Sequence, residues 1–156
     1  MFKIFYYSLF QISIFIISTG VMANDETKIG QTIQITLING IQKLDARVDT
    51  GAETSSISAI NIQKFERDGK DWIKFDIAHP SLKKVETLEE PLSRTIKVKR
   101  HGGESHKRYV VKLKIMIREQ AILEEFSLTD RKGYEYPALI GRNILSHGFI
   151  VDVNKD

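Results

Sequence analysis

Apolar residues occupy every second position along much of this chain, and this period limits the possible folds more than any other feature. The longest such run consists of Tyr109, Val111, Leu113, Ile115 and Ile117. Because successive side chains of a strand point to opposite faces of its sheet, the pattern predicts a strand with one buried face. Similar alternation in residues 33–37 and 44–48, around the turn-forming pair Asn39-Gly40, predicts a hairpin. The chain is therefore predicted to be all-β.

The rest of the chain is predicted to follow the same plan with a single short helix. Asp68-Gly69 indicates a second hairpin turn, and residues 121–129 predict a further strand or strand pair. Residues 79–92 contain two prolines and no clear period, so we predict a connecting loop there. Residues 143–147 predict a short helical turn, and residues 149–153 predict a terminal strand.

Residues 1–23 match a secretory signal. Lys3 precedes an apolar stretch, and Ala23 is a small residue at the expected cleavage position. Cleavage there would leave residues 24–156 as one domain, which we expect to be periplasmic or secreted without stable membrane insertion. The alternative is an uncleaved N-terminal anchor, although the apolar stretch is short for a full span of about 20 residues.

The composition limits the partners of this domain. The chain has no cysteine, so an exported domain would rely on its buried core and on dimerisation instead of disulfides. Positive charge concentrates between residues 97 and 114, where it could meet acidic substrates, anionic lipid or cell-wall polymers, or form a solvated sheet face. Because the formal net charge is only +3 and few aromatic residues are interleaved, we predict no nucleic-acid partner.

One tetrad, Asp49-Thr50-Gly51-Ala52, places a carboxylate where a predicted strand ends in a glycine turn. Water attacks an amide poorly. A peptidase without a metal or covalent nucleophile therefore needs one ionised carboxylate to take a proton from water and one protonated carboxyl to polarise the carbonyl. Since the tetrad occurs once, we expect the second carboxyl group to be Asp49 of a second copy of the chain.

A second motif, residues 138–145, leads from an apolar strand through Gly141 and Arg142 into a short turn. Together with the tetrad it resembles the retropepsin-like aspartic peptidases, in which an apolar-apolar-Gly segment loops around the Asp-Thr-Gly turn. The resemblance implies a closed-barrel subunit with one short C-terminal helix, paired as a homodimer. It also implies an aspartic endopeptidase of peptides or proteins, with Asp49 as the catalytic residue. The residues that it implies as active-site support are Thr50, Gly51, Ala52, Gly141 and Arg142.

Further segments resemble, more narrowly, a bacterial retropepsin-like family that has been labelled as ATP-dependent zinc proteases. These segments are residues 65–70, 108–111, 128–131 and 139–142. The sequence argues against the label, because it contains neither a Gly-x-x-x-x-Gly-Lys-Ser/Thr phosphate loop nor a His-Glu-x-x-His zinc motif. The histidines also lack ligand spacing; they are His79, His101, His106 and His147. We predict no metal, no cofactor and no dependence on zinc or ATP.

Several interpretations stay open at this point. The Gly102-Gly103 tip between two predicted strands fits either the flap that closes over substrate in retropepsins or an ordinary hairpin. By resemblance Arg142 would pair with Glu53, although a basic residue is expected at that position in the bacterial family. Residues 129–131 match that family without an assigned role. The protein is expected to be an active dimeric peptidase or, alternatively, a non-catalytic peptide-binding or scaffold protein on the same fold.

Overall fold

The computed structural model describes residues 27–38, 42–99 and 105–155, and these residues form an almost entirely β structure. Its elements are β1 Thr27–Ile29, β2 Thr32–Leu37, β3 Gln42–Val48, β4 Ser55–Arg67, β5 Lys70–Ile77, β6 Glu86–Lys99, β7 Ser105–Ile117, β8 Gln120–Thr129, β9 Ala138–Ile140, α1 Arg142–Leu145 and β10 Phe149–Val151. The prediction of an all-β fold is confirmed. The predicted signal at residues 1–23, the Asn39-Gly40 turn and the Gly102-Gly103 tip lie outside the described residues.

Six of the strands close into a barrel. Around the ring, β2 pairs with β3, β3 with β9, β9 with β4, β4 with β8, β8 with β7, and β7 with β2. The β3–β9 and β4–β8 pairs are parallel, and the other four are antiparallel. Closing the ring pairs strand edges that an open sheet would leave exposed. The expected closed barrel is therefore present.

Strands β5 and β6 extend the sheet outward between β4 and β7. β4 turns into β5 through Asp68 and Gly69, whose φ angles of 52° and 71° suit a two-residue hairpin turn. That prediction is confirmed. β6 and β7 form a second hairpin, here called the β6–β7 hairpin. Its outer arms, residues 95–99 and 105–109, pair only with each other among the described strands.

The loop predicted at residues 79–92 is wrong in its second half, because β6 begins at Glu86. The first part of β6, from Glu86 to Pro91, pairs with β5, and pairing with β7 begins at Leu92. Pro91 therefore lies where the strand changes partner, and a residue without an N–H group interrupts the hydrogen-bond ladder least at such a place. The strand or strand pair predicted at residues 121–129 is the single strand β8.

The inward-facing side chains of the strands fill the barrel. Those of β7 are at most 1% exposed: Val111, Leu113, Ile115 and Ile117. Lys112 and Lys114 between them are exposed, as the period-two pattern predicts. Phe75 and Phe126 are the largest fully buried side chains. This core holds β3, β4 and β9 in place, and the candidate site is built at their ends.

The first and last described strands, β1 and β10, form a separate parallel pair in which Thr27 lies beside Phe149. β10 ends at Val151 and is thus shorter than the terminal strand predicted at residues 149–153. Among the described residues, no helix has both the length and the apolar character needed to cross a membrane.

Candidate active site

Asp49 is the first residue after β3, and hydrogen bonds hold the backbone around it. Its N–H donates to the carbonyl oxygen of Ile140 at 2.9 Å, and its carbonyl oxygen accepts from the N–H of Ala52 at 3.3 Å. Its carboxylate oxygen Oδ1 accepts from the N–H of Gly51 at 2.9 Å, whereas no hydrogen bond to a described residue uses Oδ2. Asp49 is half-buried, and Thr50 and Gly51 are exposed. The site turn, residues 49–54, thus presents a fixed carboxylate at the surface of one chain.

Gly141 packs directly against the site turn. A Cβ atom added to Gly141 would lie 2.9 Å from the carbonyl oxygen of Ala52 and 3.1 Å from the carbonyl carbon of Thr54. Both are backbone atoms, so a side chain here would force two segments apart. The N–H of Arg142 donates to the carbonyl oxygen of Ala52 at 2.8 Å. The second sequence motif therefore loops around the first in the way that the resemblance implies.

Arg142 holds the site turn through backbone carbonyl groups. Its Nη1 donates to the carbonyl oxygens of Thr50 and Gly51 at 3.1 and 2.8 Å. The expected ion pair with Glu53 does not form, and neither residue has an ion-pair partner among the described residues. Glu53 is exposed, and its carbonyl oxygen instead accepts from the N–H of Asn143 at 3.2 Å. Because Arg142 contacts carbonyl groups, it can brace the turn whatever charge position 53 carries.

Asn143 lies within the second motif but has no role predicted from the sequence, and it joins the end of the site turn to β8. Its Oδ1 accepts from both the N–H and the hydroxyl of Ser55, at 2.9 and 2.8 Å. Its Nδ2 donates to the carbonyl oxygen of Glu125 at 2.9 Å. The hydroxyl of Ser55 also accepts from the N–H of Gly141 at 2.9 Å. These partners lie between 18 and 88 residues from Asn143 along the chain, so no local pattern could have indicated them.

A cavity of about 600 Å³ opens between the site turn and the β6–β7 hairpin. Residues 52–54 line one side, and the hairpin contributes the cationic side chains Arg94, Lys97 and Arg108. The arms of the hairpin therefore face the same space as the turn that carries Asp49. The flap interpretation stays a prediction, because the Gly102-Gly103 tip lies outside the described residues.

Arg131 closes the far side of this cavity and is the most buried cation that lines it, with 6% of its surface exposed. Its Nε donates to the carbonyl oxygen of Tyr136 at 3.0 Å and its Nη1 to the hydroxyl of Ser56 at 2.9 Å. The guanidinium also stacks on Tyr134, 4.6 Å from the ring centre. Burial lowers the pKa of Arg131, and the neighbouring Arg108 lowers it further. Among the described residues Arg131 has no carboxylate partner, so this end of the cavity is suited to an anion.

Two of the described histidines, His79 and His147, link separate segments of the chain, and the third, His106, is exposed on β7. Nδ1 of His79 lies 2.8 Å from the hydroxyl of Ser81, and its Nε2 lies 2.9 Å from the carbonyl oxygen of Tyr134. Nε2 of His147 lies 3.0 Å from the carboxylate of Glu124. Within the described ranges, no three side chains of His, Cys, Asp or Glu are grouped so that they could hold a metal ion. His101 lies outside those ranges.

Comparisons with known proteins agree with this geometry. A family model described as "Retropepsin-like aspartic endopeptidase RimB" matches residues 29–156. Two relatives, from Shewanella pealeana and Desulfotalea psychrophila, are each named "Probable alpha-L-glutamate ligase" and are 39% and 34% identical over 119 and 116 residues. These matches cover 74% and 72% of this chain but only 26% and 25% of the relatives. The chain thus spans about a quarter of their length.

A solved structure supports the fold independently. The crystal structure of a protein of unknown function from Legionella pneumophila is 29% identical in sequence, with a TM-score of 0.72. The match covers 82% of this chain and 94% of the Legionella protein. The same architecture therefore accounts for nearly all of a separately determined structure.

Proposed function

Because the chain belongs to the RimB-like family of retropepsin-like aspartic endopeptidases, we propose that it hydrolyses peptide bonds as a homodimer with one Asp49 from each subunit. The observation that carries this proposal is the Asp49 carboxylate, which is fixed through Oδ1 while Oδ2 stays open. Thr50 and Gly51 beside it are exposed in the single chain and would lie at the contact between subunits. Neither zinc nor ATP takes part in the proposed reaction.

The proposed chemistry follows from bringing two carboxyl groups together. Two adjacent carboxylates repel each other, so the pair holds one proton and titrates as a unit. The ionised Asp49 takes a proton from water, and the resulting oxygen attacks the scissile carbonyl carbon. The protonated partner donates a hydrogen bond to the carbonyl oxygen. The C–N bond then breaks, and a proton from the pair passes to the leaving amine.

We propose acidic peptides as the preferred substrates. Among the described residues, the cavity beside the site turn is lined by one carboxylate, Glu53, and by four cationic residues: Arg94, Lys97, Arg108 and Arg131. A substrate carboxylate at Arg131 would supply the negative charge that this buried guanidinium lacks among the described residues. Relatives that contain a matching segment are named "Probable alpha-L-glutamate ligase", a name that also refers to an acidic amino acid.

The proposal is tested by exposing a proteome-derived peptide library to the purified protein between about pH 4 and pH 7, with Asp49→Asn as the matched control. An Asn side chain keeps the Oδ1 acceptor for Gly51, so the variant should fold and dimerise without cleaving. We expect mass spectrometry to find cleavage by the wild type alone, next to acidic residues. No products from either dimeric protein would favour the non-catalytic peptide-binding alternative.

Sharing of the site between two chains has its own test. If each site needs two Asp49 carboxylates, adding an excess of the Asp49→Asn variant converts wild-type subunits into inactive mixed dimers. Activity per wild-type subunit should fall as the variant is added, whereas added bovine serum albumin should change nothing. Unchanged activity would mean that one chain carries a complete site.

Export is also proposed, from the character of residues 1–23. The expected result is a mature protein that begins at Asn24 and is recovered with the periplasmic or secreted fraction. N-terminal sequencing of the fractionated protein provides the measurement, and an intact N-terminus in the cytosolic fraction would contradict export.

A further inference from the structure

A β-bulge interrupts the β6–β7 hairpin at its base. Leu92 is opposite Val111 and Arg94 is opposite Val110, so Ser93 has no residue opposite it in β7. In a regular strand, the side chains of Ser93 and Arg94 would point to opposite faces. A bulge changes the direction of side chains locally, and here both residues reach the same carboxylate, that of Glu125 on β8.

The contacts made by these residues connect three parts of the site. The Ser93 hydroxyl donates to Oε1 of Glu125 at 2.5 Å, and Nε of Arg94 donates to Oε2 at 2.7 Å. Nη2 of Arg94 extends further and donates to the hydroxyl of Thr54 at 3.1 Å. The backbone carbonyl of Glu125 is the same group that Asn143 binds. Glu125 thus connects the hairpin to the site turn through Arg94, and its backbone connects to Asn143.

We propose that Arg94, held in place by Glu125, is a positioning residue that sets the distance between the β6–β7 hairpin and the site turn. The role rests on the proposed peptidase function, since the hairpin is taken to close over substrate at Asp49. The contacts of Arg94 with Glu125 and Thr54 are present without a substrate. Arg94 would act through Thr54 and the hairpin, and it would not need to touch the reacting atoms.

The pairing of the hairpin explains why its base needs such an anchor. Residues 95–99 and 105–109 have no described strand beside them except each other, and an isolated two-stranded hairpin is marginally stable in water. The bulge removes one regular pair just where the hairpin leaves the barrel. The contacts from Ser93 and Arg94 to Glu125 replace it at that point.

The charges around Glu125 favour its ionised form. Burial alone would raise the pKa of Glu125, but the hydrogen bonds from Ser93 and Arg94 and the nearby Lys112 lower it below its usual value. Glu124, the preceding residue, faces His147 and Asn143 instead. Glu125 is therefore available to Arg94 as a carboxylate at neutral pH.

Hydrogen exchange tests the placement of the hairpin without requiring any activity. The full-length protein is compared with Arg94→Gln and Glu125→Gln, and with Lys107→Gln as a control that removes one positive charge from the same hairpin. Lys107 contacts Tyr109 of its own strand. We expect amides at residues 95–99 and 105–109 to exchange roughly three- to tenfold faster in the first two variants, since charged contacts of this exposure contribute modestly. Exchange as in the control would overturn the proposal.

Peptidase kinetics separate positioning from direct substrate binding. Glu125→Gln leaves the positive charge of Arg94 intact. If Arg94 only bound acidic substrates, this variant would therefore have an unchanged or lower KM for them. Positioning instead predicts that Glu125→Gln lowers kcat/KM about as much as Arg94→Gln does, and that combining the two changes adds little. A decrease in kcat/KM in Arg94→Gln but not in Glu125→Gln would overturn the positioning role. If the wild type cleaves nothing, the proposed function fails while the exchange result still decides the placement.

Discussion

Gly141 and Arg131 show how much of the site depends on single residues. Gly141 has a role that its motif already indicates, because an apolar-apolar-Gly segment next to a turn implies a close approach of backbones. Arg131 also lies in a recognised segment, but its role depends on burial and on a stacked Tyr134. Burial is a property of the folded chain, so the sequence could locate this residue without explaining it.

Replacing Gly141 with alanine should destabilise the protein by about 1–3 kcal/mol and reduce activity, because the new Cβ would lie 2.9 Å from the carbonyl oxygen of Ala52. Urea unfolding measures the change in free energy. Gly133→Ala is the matched control, since a Cβ at Gly133 would have no atom within 4 Å. Equal stability of the two variants would show that the site turn can move aside.

Replacing Arg131 with glutamine should weaken the preference for acidic peptides. The loss of a charged hydrogen-bond partner is expected to raise KM for acidic peptides roughly 10- to 100-fold, with little change for neutral ones. Steady-state kinetics on both peptide classes provide the test, after circular dichroism shows that the variant is folded. Arg67→Gln serves as the control, because Arg67 pairs with Glu89 on the outer sheet. An equal loss on both classes would contradict the anion subsite.

At the scale of elements, period-two patterns predicted β2, β3 and β7 but missed the start of β6. In the first half of β6 the half-buried residues are Glu86, Leu88 and Glu90, of which only Leu88 is apolar, and Pro91 follows them. Backbone pairing with β5 holds this strand. Its side chains alternate in burial, but charged residues occupy two of the half-buried positions, so no apolar period marks the strand in the sequence. The contacts of Asn143, Arg94 and Glu125 were missed for a related reason, because they cross between elements that are distant in the chain. By contrast, Asp49, Gly141 and Arg142 lie in short motifs that could be recognised directly.

The first residue of the short helix α1, Arg142, holds the site turn. Arg142→Ala should weaken the dimer and lower kcat/KM roughly tenfold or more, because two hydrogen bonds from a charged group to Thr50 and Gly51 are lost. Sedimentation velocity and peptide kinetics measure the two effects. Arg142→Lys, which keeps the charge without the guanidinium geometry, should recover only part of the activity. Unchanged association and unchanged activity in Arg142→Ala would remove the bracing role.

At the scale of the whole molecule, ionised carboxylates stabilise several junctions between strands. Four carboxyl groups within the described ranges have lowered pKa values: Asp76, Glu89, Glu124 and Glu125. Hydrogen bonds from Thr87 and Asn61 lower the pKa of Asp76, and Arg67 lowers that of Glu89. The unfolded chain therefore binds protons at a higher pH than the folded protein does.

The sign of this difference predicts loss of stability in acid. These groups contribute fully to the free energy of unfolding when the pH is above their ordinary pKa values of 3.8 for Asp and 4.5 for Glu. The contribution decreases as the pH falls through their lower pKa values in the folded protein. Urea midpoints should stay nearly level from about pH 7 to pH 5 and then decline. The double variant Asp76→Asn/Glu89→Gln should show a smaller decline. A midpoint that rises on acidification would contradict the assignment.

β1 and β10, the first and last described strands, pair in parallel, so the strands of this fold could be connected in a different order. Thr27 lies beside Phe149, and the N–H of Gln31 donates to the carbonyl oxygen of Lys155 at 3.2 Å, so the two ends of the described fold lie at opposite ends of this one short strand pair. A short linker could join them, and the chain could be opened at Asp68-Gly69 without breaking a strand. A circular permutant of this kind would keep every strand pair of the barrel. Gln31, which contacts Lys155, also accepts through its carbonyl oxygen from the N–H of Val48 beside Asp49 at 2.9 Å, so a linker that starts after Lys155 would begin near the candidate site.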